Sequence, residues 1–325
     1  MDFTTCVQQR VPPKWIIYPK SDENIEKTLQ AVLPHNPFYV KKVIGKLIQD
    51  AESEGEAPEM LYEMYCWPQV LQAKELNPTD IDTVAYKVGS AQIWIPETPR
   101  LISGMGTTGL RTWEASLFLS EYLVHEACWA NKNVLELGCG TGLVGISLLK
   151  NKLCKTVIFT DGDVGVVEKM SNILSYNGVN GQAQRLLWGE SDVPFVDILV
   201  AADVTYDISV LPSLRGTLEC AFLKGCKQIL IAATVRNEDT ISAWEQELTK
   251  YFRWNIIASK NHSGSINLQC WYPPETPDIK IYTGITYYLI YKASIASMNS
   301  DEFINDPRHP RFAKGGKFID LESKN

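Results

Sequence analysis

No pair of cysteines in this chain is spaced C-x-x-C, although it holds eight of them: Cys6, Cys66, Cys128, Cys139, Cys154, Cys220, Cys226 and Cys270. Histidine is scarce, four in 325 residues, and none stands in an H-E-x-x-H arrangement. The two absences argue against a zinc site and leave reduced, mostly buried thiols as the expectation. No apolar run is long enough to cross a bilayer, and the first residues lack a charged-then-apolar leader, with Pro12 and Pro13 interrupting them early. A soluble cytoplasmic or nuclear protein is expected, with the cytoplasm as the first choice and without membrane association. The formal charge is −7, so no global basic surface is offered to nucleic acid. No sustained heptad appears, and monomer is the simpler state.

What is present is globular in composition, 45% apolar and 21% charged. Nine tryptophans and fourteen tyrosines are more than a core needs, so some belong in grooves or interfaces. The chain is organised around Asn133-Val134-Leu135-Glu136-Leu137-Gly138-Cys139-Gly140-Thr141-Gly142-Leu143-Val144-Gly145-Ile146. A short apolar strand breaks into a glycine turn and resumes as a helix, with Leu143, Ile146, Leu148 and Leu149 available for burial. Glycines permit a tight turn and close approach of a ligand to backbone. The free amides of the helix start accept a carboxylate or phosphate. Gly140, Gly142 and Gly145 also spell G-x-G-x-x-G, a weak match to the dinucleotide fingerprint.

Before this stretch, helical spacing covers 23–33, 37–52 and 57–66, with Ser21 or Asp22 as a cap for the first. Trp15-Ile16-Ile17-Tyr18 reads as a strand or a lone anchor. These helices make an N-terminal region, 1–82, that either packs on the main domain or recognises a substrate. A hairpin follows over 82–96, then a glycine-rich segment at 101–109 and a helix ending near Ala130. After the central unit, strands are expected at 156–160, ending around Leu186-Leu187-Trp188, at 196–202, at 227–233, around 254–257 and at 285–291. Helices are expected at 164–176, 210–222 and 240–252. The alternation predicts an α/β domain over 83–292, an open and mostly parallel sheet of about seven strands. Residues 293–325 form a C-terminal extension with basic Arg308, Arg311, Lys314 and Lys317 and apolar anchors such as Phe303 and Phe312.

Ligands of such sheets bind at the carboxyl ends of strands. Gly138, Asp161, Trp188 and Asp203 all fall at those ends. Asp161 suits the two hydroxyls of a ribose. Trp188 packs on an adenine or serves as an ordinary core aromatic. Glu136, a carboxylate beside a core strand, needs a partner and either orients the turn or holds a backbone amide.

Three motifs together carry a resemblance: Thr108-Gly109-Leu110-Arg111-Thr112-Trp113-Glu114-Ala115, then E-L-G-C-G-T-G, then D-x-x-Y at Asp203-Val204-Thr205-Tyr206. The chain resembles the seven-β-strand, class I protein-lysine methyltransferases over about 105–292. With Tyr62-Glu63-Met64-Tyr65-Cys66-Trp67 it is similar to the branch that methylates a lysine of translation elongation factor 2. The resemblance implies a Rossmann-like sheet, S-adenosylmethionine as cofactor, S-adenosylhomocysteine as product and elongation factor 2 as partner. It implies that Trp113, Glu136, Gly138, Cys139, Gly140, Asp161, Trp188 and Ala202 line the cofactor site. It also implies that Asp203 and Tyr206 line the site of methyl transfer.

Three rivals stay open at this point. A nicotinamide-dependent oxidoreductase shares the glycine turn and Asp161 but leaves Trp113 and D-x-x-Y unexplained. A methyltransferase of the same fold acting on another protein, a small molecule or a nucleic acid shares the fold and cofactor, although D-x-x-Y suits an amine better than a base. A non-catalytic cofactor-binding protein shares the pocket without the chemistry.

Overall fold

The computed structural model describes residues 2–19, 24–101, 104, 106–127, 129–260 and 279–287. Ser21, Asp22, Cys128, Cys270 and the extension from 293 lie outside the described residues.

The chain opens with α1 (Phe3–Gln8), capped by the Asp2 carboxylate, which accepts from the Thr5 amide at 2.8 Å. Pro13–Trp15 is a single 3₁₀ turn, and Ile16 beyond it is buried while Ile17 is 84% exposed. That segment is therefore an anchor rather than a strand. Helices α2 (Ile25–Val32), α3 (Pro37–Glu54), α4 (Glu59–Tyr65) and α5 (Pro68–Leu71) follow. In α3 the Asn36 side chain caps the Tyr39 amide at 2.9 Å and Pro37 takes the first helical position. Val40, Val43, Ile44 and Leu47 then fall on one buried face. The N-terminal helices share a hydrophobic cluster of their own, built on Ile25, Leu29, Ile44, Leu47, Leu61 and Met64.

Strands β1 (Asp82–Val88) and β2 (Ala91–Glu97) form the antiparallel hairpin, turning at Gly89-Ser90. Asp82, almost wholly buried, accepts from Arg10 Nη2 at 2.7 Å and from Asn36 Nδ2 at 2.7 Å. Arg10 also donates to the Thr83 carbonyl at 2.9 Å. One polar cluster thus joins the helical region to the hairpin.

The main sheet has seven strands in the order β5-β4-β3-β6-β7-β9-β8. These are β3 (Trp129–Leu137), β4 (Cys154–Asp161), β5 (Gln182–Arg185), β6 (Ile198–Ala202), β7 (Gln228–Thr234), β8 (Phe252–Lys260) and β9 (Ile279–Tyr287). The first five are parallel; β9 runs antiparallel between β7 and β8. The alternating residues of β3 divide between two cores. Val134 faces α6 (Glu114–Glu126), α7 (Leu143–Lys150), α8 (Val164–Tyr176) and the hairpin. Leu135 and Leu137 face α9 (Leu211–Leu223) and α10 (Glu238–Tyr251). Leu143, Ile146 and Leu148 of α7 are buried, and Leu149 is half-buried.

Three boundaries differ from the sequence reading. Helix α6 stops at Glu126, because Ala127 turns extended and Trp129 already pairs with Cys154 in β4. Strand β5 stops at Arg185, short of Leu186-Leu187-Trp188, because the Leu187 amide turns to the Ser191 hydroxyl at 2.9 Å. The last strand begins at Ile279 rather than at 285, with buried Tyr282 opposite Ile231; it includes 285–287 as expected, and 288–291 fall outside the described residues.

Candidate active site

Strand order reverses between β3 and β6, so the connections leaving their carboxyl ends diverge and open a crevice there. Its floor is the glycine turn. Gly138 has φ of +64°, and a Cβ built there would fall 2.8 Å from Val204 Cγ1 and 3.4 Å from Trp188 Cζ2. Only glycine fits, and bare backbone faces the crevice. The turn is held from below. Glu136, buried at the end of β3, accepts from the Gly145 amide of α7 at 2.8 Å. A Cβ on Gly145 would meet Phe159 Cε1 at 2.4 Å and Glu136 Oε2 at 2.6 Å, so this glycine sets the helix-to-sheet distance. Burial pushes the Glu136 carboxyl up to about 8, against the amide bond that lowers it.

From β4, Asp161 accepts from the Gly140 amide at 3.0 Å through one oxygen and from the Asp163 amide at 3.0 Å through the other. Burial raises its carboxyl while these amides lower it. Cys139 is buried, and burial with the nearby Glu136 and Asp161 charges holds its thiol well above the ordinary value. It is a packed thiol rather than a thiolate.

The Thr108–Trp113 segment lies against the turn. Gly109 and Gly140 approach so closely that a Cβ on Gly109 would stand 3.2 Å from Gly140 Cα. Buried Glu97, at the end of β2, accepts from the Thr112 amide at 2.7 Å and from the Tyr86 hydroxyl at 3.0 Å. Thr112 and Thr141 exchange a hydroxyl bond at 2.9 Å. The Trp113 indole donates to the Thr108 carbonyl at 3.0 Å. Its ring is flanked by two guanidiniums, Arg111 at 4.6 Å and Arg236 at 4.8 Å from the centroid.

Asp203 follows β6 with φ of +55°, a left-handed backbone that an ordinary residue adopts only under constraint. Its amide donates to the Ala232 carbonyl at 2.8 Å. Its carboxylate, 7% exposed, accepts from the Thr234 amide and hydroxyl, both at 2.8 Å, and from Arg236 at 3.2 Å. Burial raises this carboxyl and the Arg236 charge opposes the rise. Tyr206 is 57% exposed on the lip of the same turn.

Gly138, Cys139, Gly140, Asp161, Trp188, Trp113, Ala202 and Asp203 are thus gathered at one sheet edge, with half-buried Ala202 ending β6. Trp188 reaches it from the turn beyond β5, not from a strand end. Glu136 sits beneath the turn with its carboxylate committed to α7. Thr234, Arg236 and Glu114 complete the edge and were missed as site residues. The rule about carboxyl ends, applied to β7 as it was to β6, points to Thr234-Val235-Arg236 directly.

A doubly wound sheet of this order, with a glycine turn at its switch point after β3, an acid ending β4 and D-x-x-Y following β6, defines a class I methyltransferase dependent on S-adenosylmethionine. A family model described as lysine methyltransferase matches residues 101–250. The protein-lysine N-methyltransferase EFM3 of Saccharomyces cerevisiae is 31% identical over 331 residues, covering 86% of this chain and 97% of its own. EFM3 of Chaetomium thermophilum is 41% identical over 164 residues, 46% of this chain and 49% of its own. The protein-lysine N-methyltransferase EEF2KMT of Homo sapiens is 29% identical over 248 residues, 69% of this chain and 74% of its own. The chain belongs to this protein-lysine N-methyltransferase family, in the branch of EFM3 and EEF2KMT. A short second match, to the ATP synthase j chain, spans 282–317 and lies almost wholly outside the described residues. Among the described residues, no helix is long and apolar enough to cross a membrane.

Proposed function

We propose that this protein-lysine methyltransferase acts on a lysine of translation elongation factor 2, in the cytoplasm, with Asp203 receiving the target amine. The observation that carries the site assignment is Asp203 itself, a constrained and nearly buried carboxylate beside the glycine turn. The substrate follows from the resemblance of the Thr108–Ala115 and Tyr62–Trp67 segments and from the relatives called EEF2KMT.

The residues at the edge suit S-adenosylmethionine. The floor at Gly138, Cys139 and Gly140, bare of side chain at its two glycines, lets the amino-acid portion approach the backbone closely. Asp161 has lone pairs left beyond its two amide bonds to accept ribose hydroxyls. Trp188 offers an aromatic face above the turn, and Ala202 a small wall. Glu136 acts through the turn by fixing Gly145. When bound, this cofactor supplies a methyl group carried on a sulfonium.

The chain's own residues then do three things. Asp203 accepts a hydrogen bond from the incoming amine and favours the positive charge that develops on nitrogen. Tyr206, on the exposed lip, shapes the channel by which the lysine enters. Trp113, fixed through its indole to Thr108, covers the crevice and excludes water. Alignment of amine and methyl supplies much of the rate, and no protein nucleophile is required. The N-terminal helical region, 1–82, serves as the recognition module.

The test is Asp203→Ala. Turnover should fall by at least about a hundredfold, in line with loss of a preorganised electrostatic partner, while S-adenosylhomocysteine binding, read by calorimetry, stays within a few-fold. Equal loss of both would assign Asp203 to the cofactor instead.

A further inference from the structure

We infer that Arg236 is a positioning residue that neutralises Asp203 and so admits the target lysine as a free amine. The inference rests on the reading of Asp203 as the amine's partner. Both Arg236 terminal nitrogens lie 3.2 Å from Asp203 Oδ2. The same guanidinium donates to Glu114 Oε2 at 2.7 Å and stacks on Trp113. It therefore ties together the turn after β6, the loop after β7 and the start of α6.

A lysine amine attacks only with its lone pair free, so its proton must leave to water before the nitrogen reaches the methyl carbon. A lone buried carboxylate beside that nitrogen would hold the proton on, because opposite charge favours the ammonium. The charged groups joined to Asp203 and Trp113 by ion pair or ring contact are Asp203 from β6, Glu114 from α6, Arg111 before α6 and Arg236 after β7, with Glu97 of β2 behind Arg111; Arg111 lies 3.8 Å from Glu114. Thr234 adds only hydrogen bonds to Asp203, and Tyr206 and Asp207 stand exposed on the turn. Arg236 offsets the Asp203 charge directly, while Arg111 lies between Glu114 and the buried Glu97 carboxyl, which burial raises and Arg111 lowers. The amine still finds at Asp203 an oriented acceptor whose oxygens meet the charge developing in the transition state, but not the unopposed carboxylate that would keep it protonated beforehand. A merely structural clamp would not need this balance.

The experiment is a pH profile of kcat/KM for label transfer from methyl-tritiated S-adenosylmethionine into protein of an extract lacking this enzyme, with the label identified as methyl-lysine after hydrolysis. In Arg236→Gln the rising acidic limb should move up by about one pH unit, the shift expected from removing one near charge. At fixed neutral pH that reads as about a tenfold loss, recovered at alkaline pH. Glu114→Gln removes a negative charge and should move the limb down. Arg236→Lys keeps the charge and should leave the limb in place, even with a lower plateau. Limbs that do not move, or that move in the same direction in Arg236→Gln and Glu114→Gln, overturn the inference. S-adenosylhomocysteine affinity reports folding, and should Arg236→Gln fail to fold, the Glu114→Gln limb decides. Absence of methyl-lysine with the wild type at every pH instead overturns the underlying reading of the site.

Discussion

Glu136 carries two jobs at one position. Its carboxylate holds the Gly145 amide, and its burial makes the neutral acid the favoured form, with the carboxyl raised from 4.5 to about 8. Between those values the folded chain keeps a proton that the unfolded chain has lost. Stability therefore falls as pH rises from about 4.5 to about 8, and is lowest above that window. Glu136→Gln keeps an acceptor for Gly145 and removes the titration. Its urea midpoint should vary less with pH across the window than that of the wild type, and should exceed it at the alkaline end. Parallel pH dependences would contradict the assignment. Gly145→Ala tests the packing beneath the same turn. A Cβ there collides with the Phe159 ring and the Glu136 carboxylate, so a loss of about 1–3 kcal/mol is expected in urea unfolding. At this scale the sequence was informative wherever chemistry demanded a residue type. A carboxylate in an apolar strand needs a partner, and the partner proved to be a helix amide. Arg236 was overlooked although it follows the carboxyl end of β7: its place there is readable, but its role is not until Trp113, Glu114 and Asp203 are brought beside it.

Among the elements, those with a clean period were legible and those with a local competitor were not. The spacing of Val167, Met170, Ile173 and Leu174 marked α8 at 164–176, the bounds observed, although Val166 is buried there and Val167 only half-buried. The apolar run at 186–188 read as strand, but the Ser191 hydroxyl takes the Leu187 amide and ends the ladder early. The join between the N-terminal helices and the hairpin was invisible in sequence, since Arg10, Asn36 and Asp82 are brought together only by folding. Asp82→Ala leaves the Arg10 guanidinium, 11% exposed, without its counter-charge. Loss of one partner from a buried pair costs about 3–5 kcal/mol. Denaturant unfolding should register that loss, with earlier proteolytic nicking near residues 10–36. An unchanged midpoint and cleavage pattern would deny this cluster a role in holding the two parts together.

For the whole molecule, the described residues divide among three cores. Two cover the faces of the sheet, and the third belongs to the N-terminal helices. The sheet order with its antiparallel β9 insertion places the ends of β3, β4, β6 and β7 along the crevice, while the hairpin pins the Trp113 segment across it through Glu97. The net charge of −7 leaves no global attraction to a polyanion and agrees with a protein partner. The fold class was readable because strand and helix periods alternate so regularly; the partner is not, because recognition surfaces carry no period. The most direct measurement is label transfer from methyl-tritiated S-adenosylmethionine into an extract lacking this enzyme, beside purified unmethylated elongation factor 2. The account predicts one labelled band at elongation factor 2, carried as methyl-lysine and lost with Asp203→Ala. Label on a different protein, with elongation factor 2 left unlabelled, would contradict it.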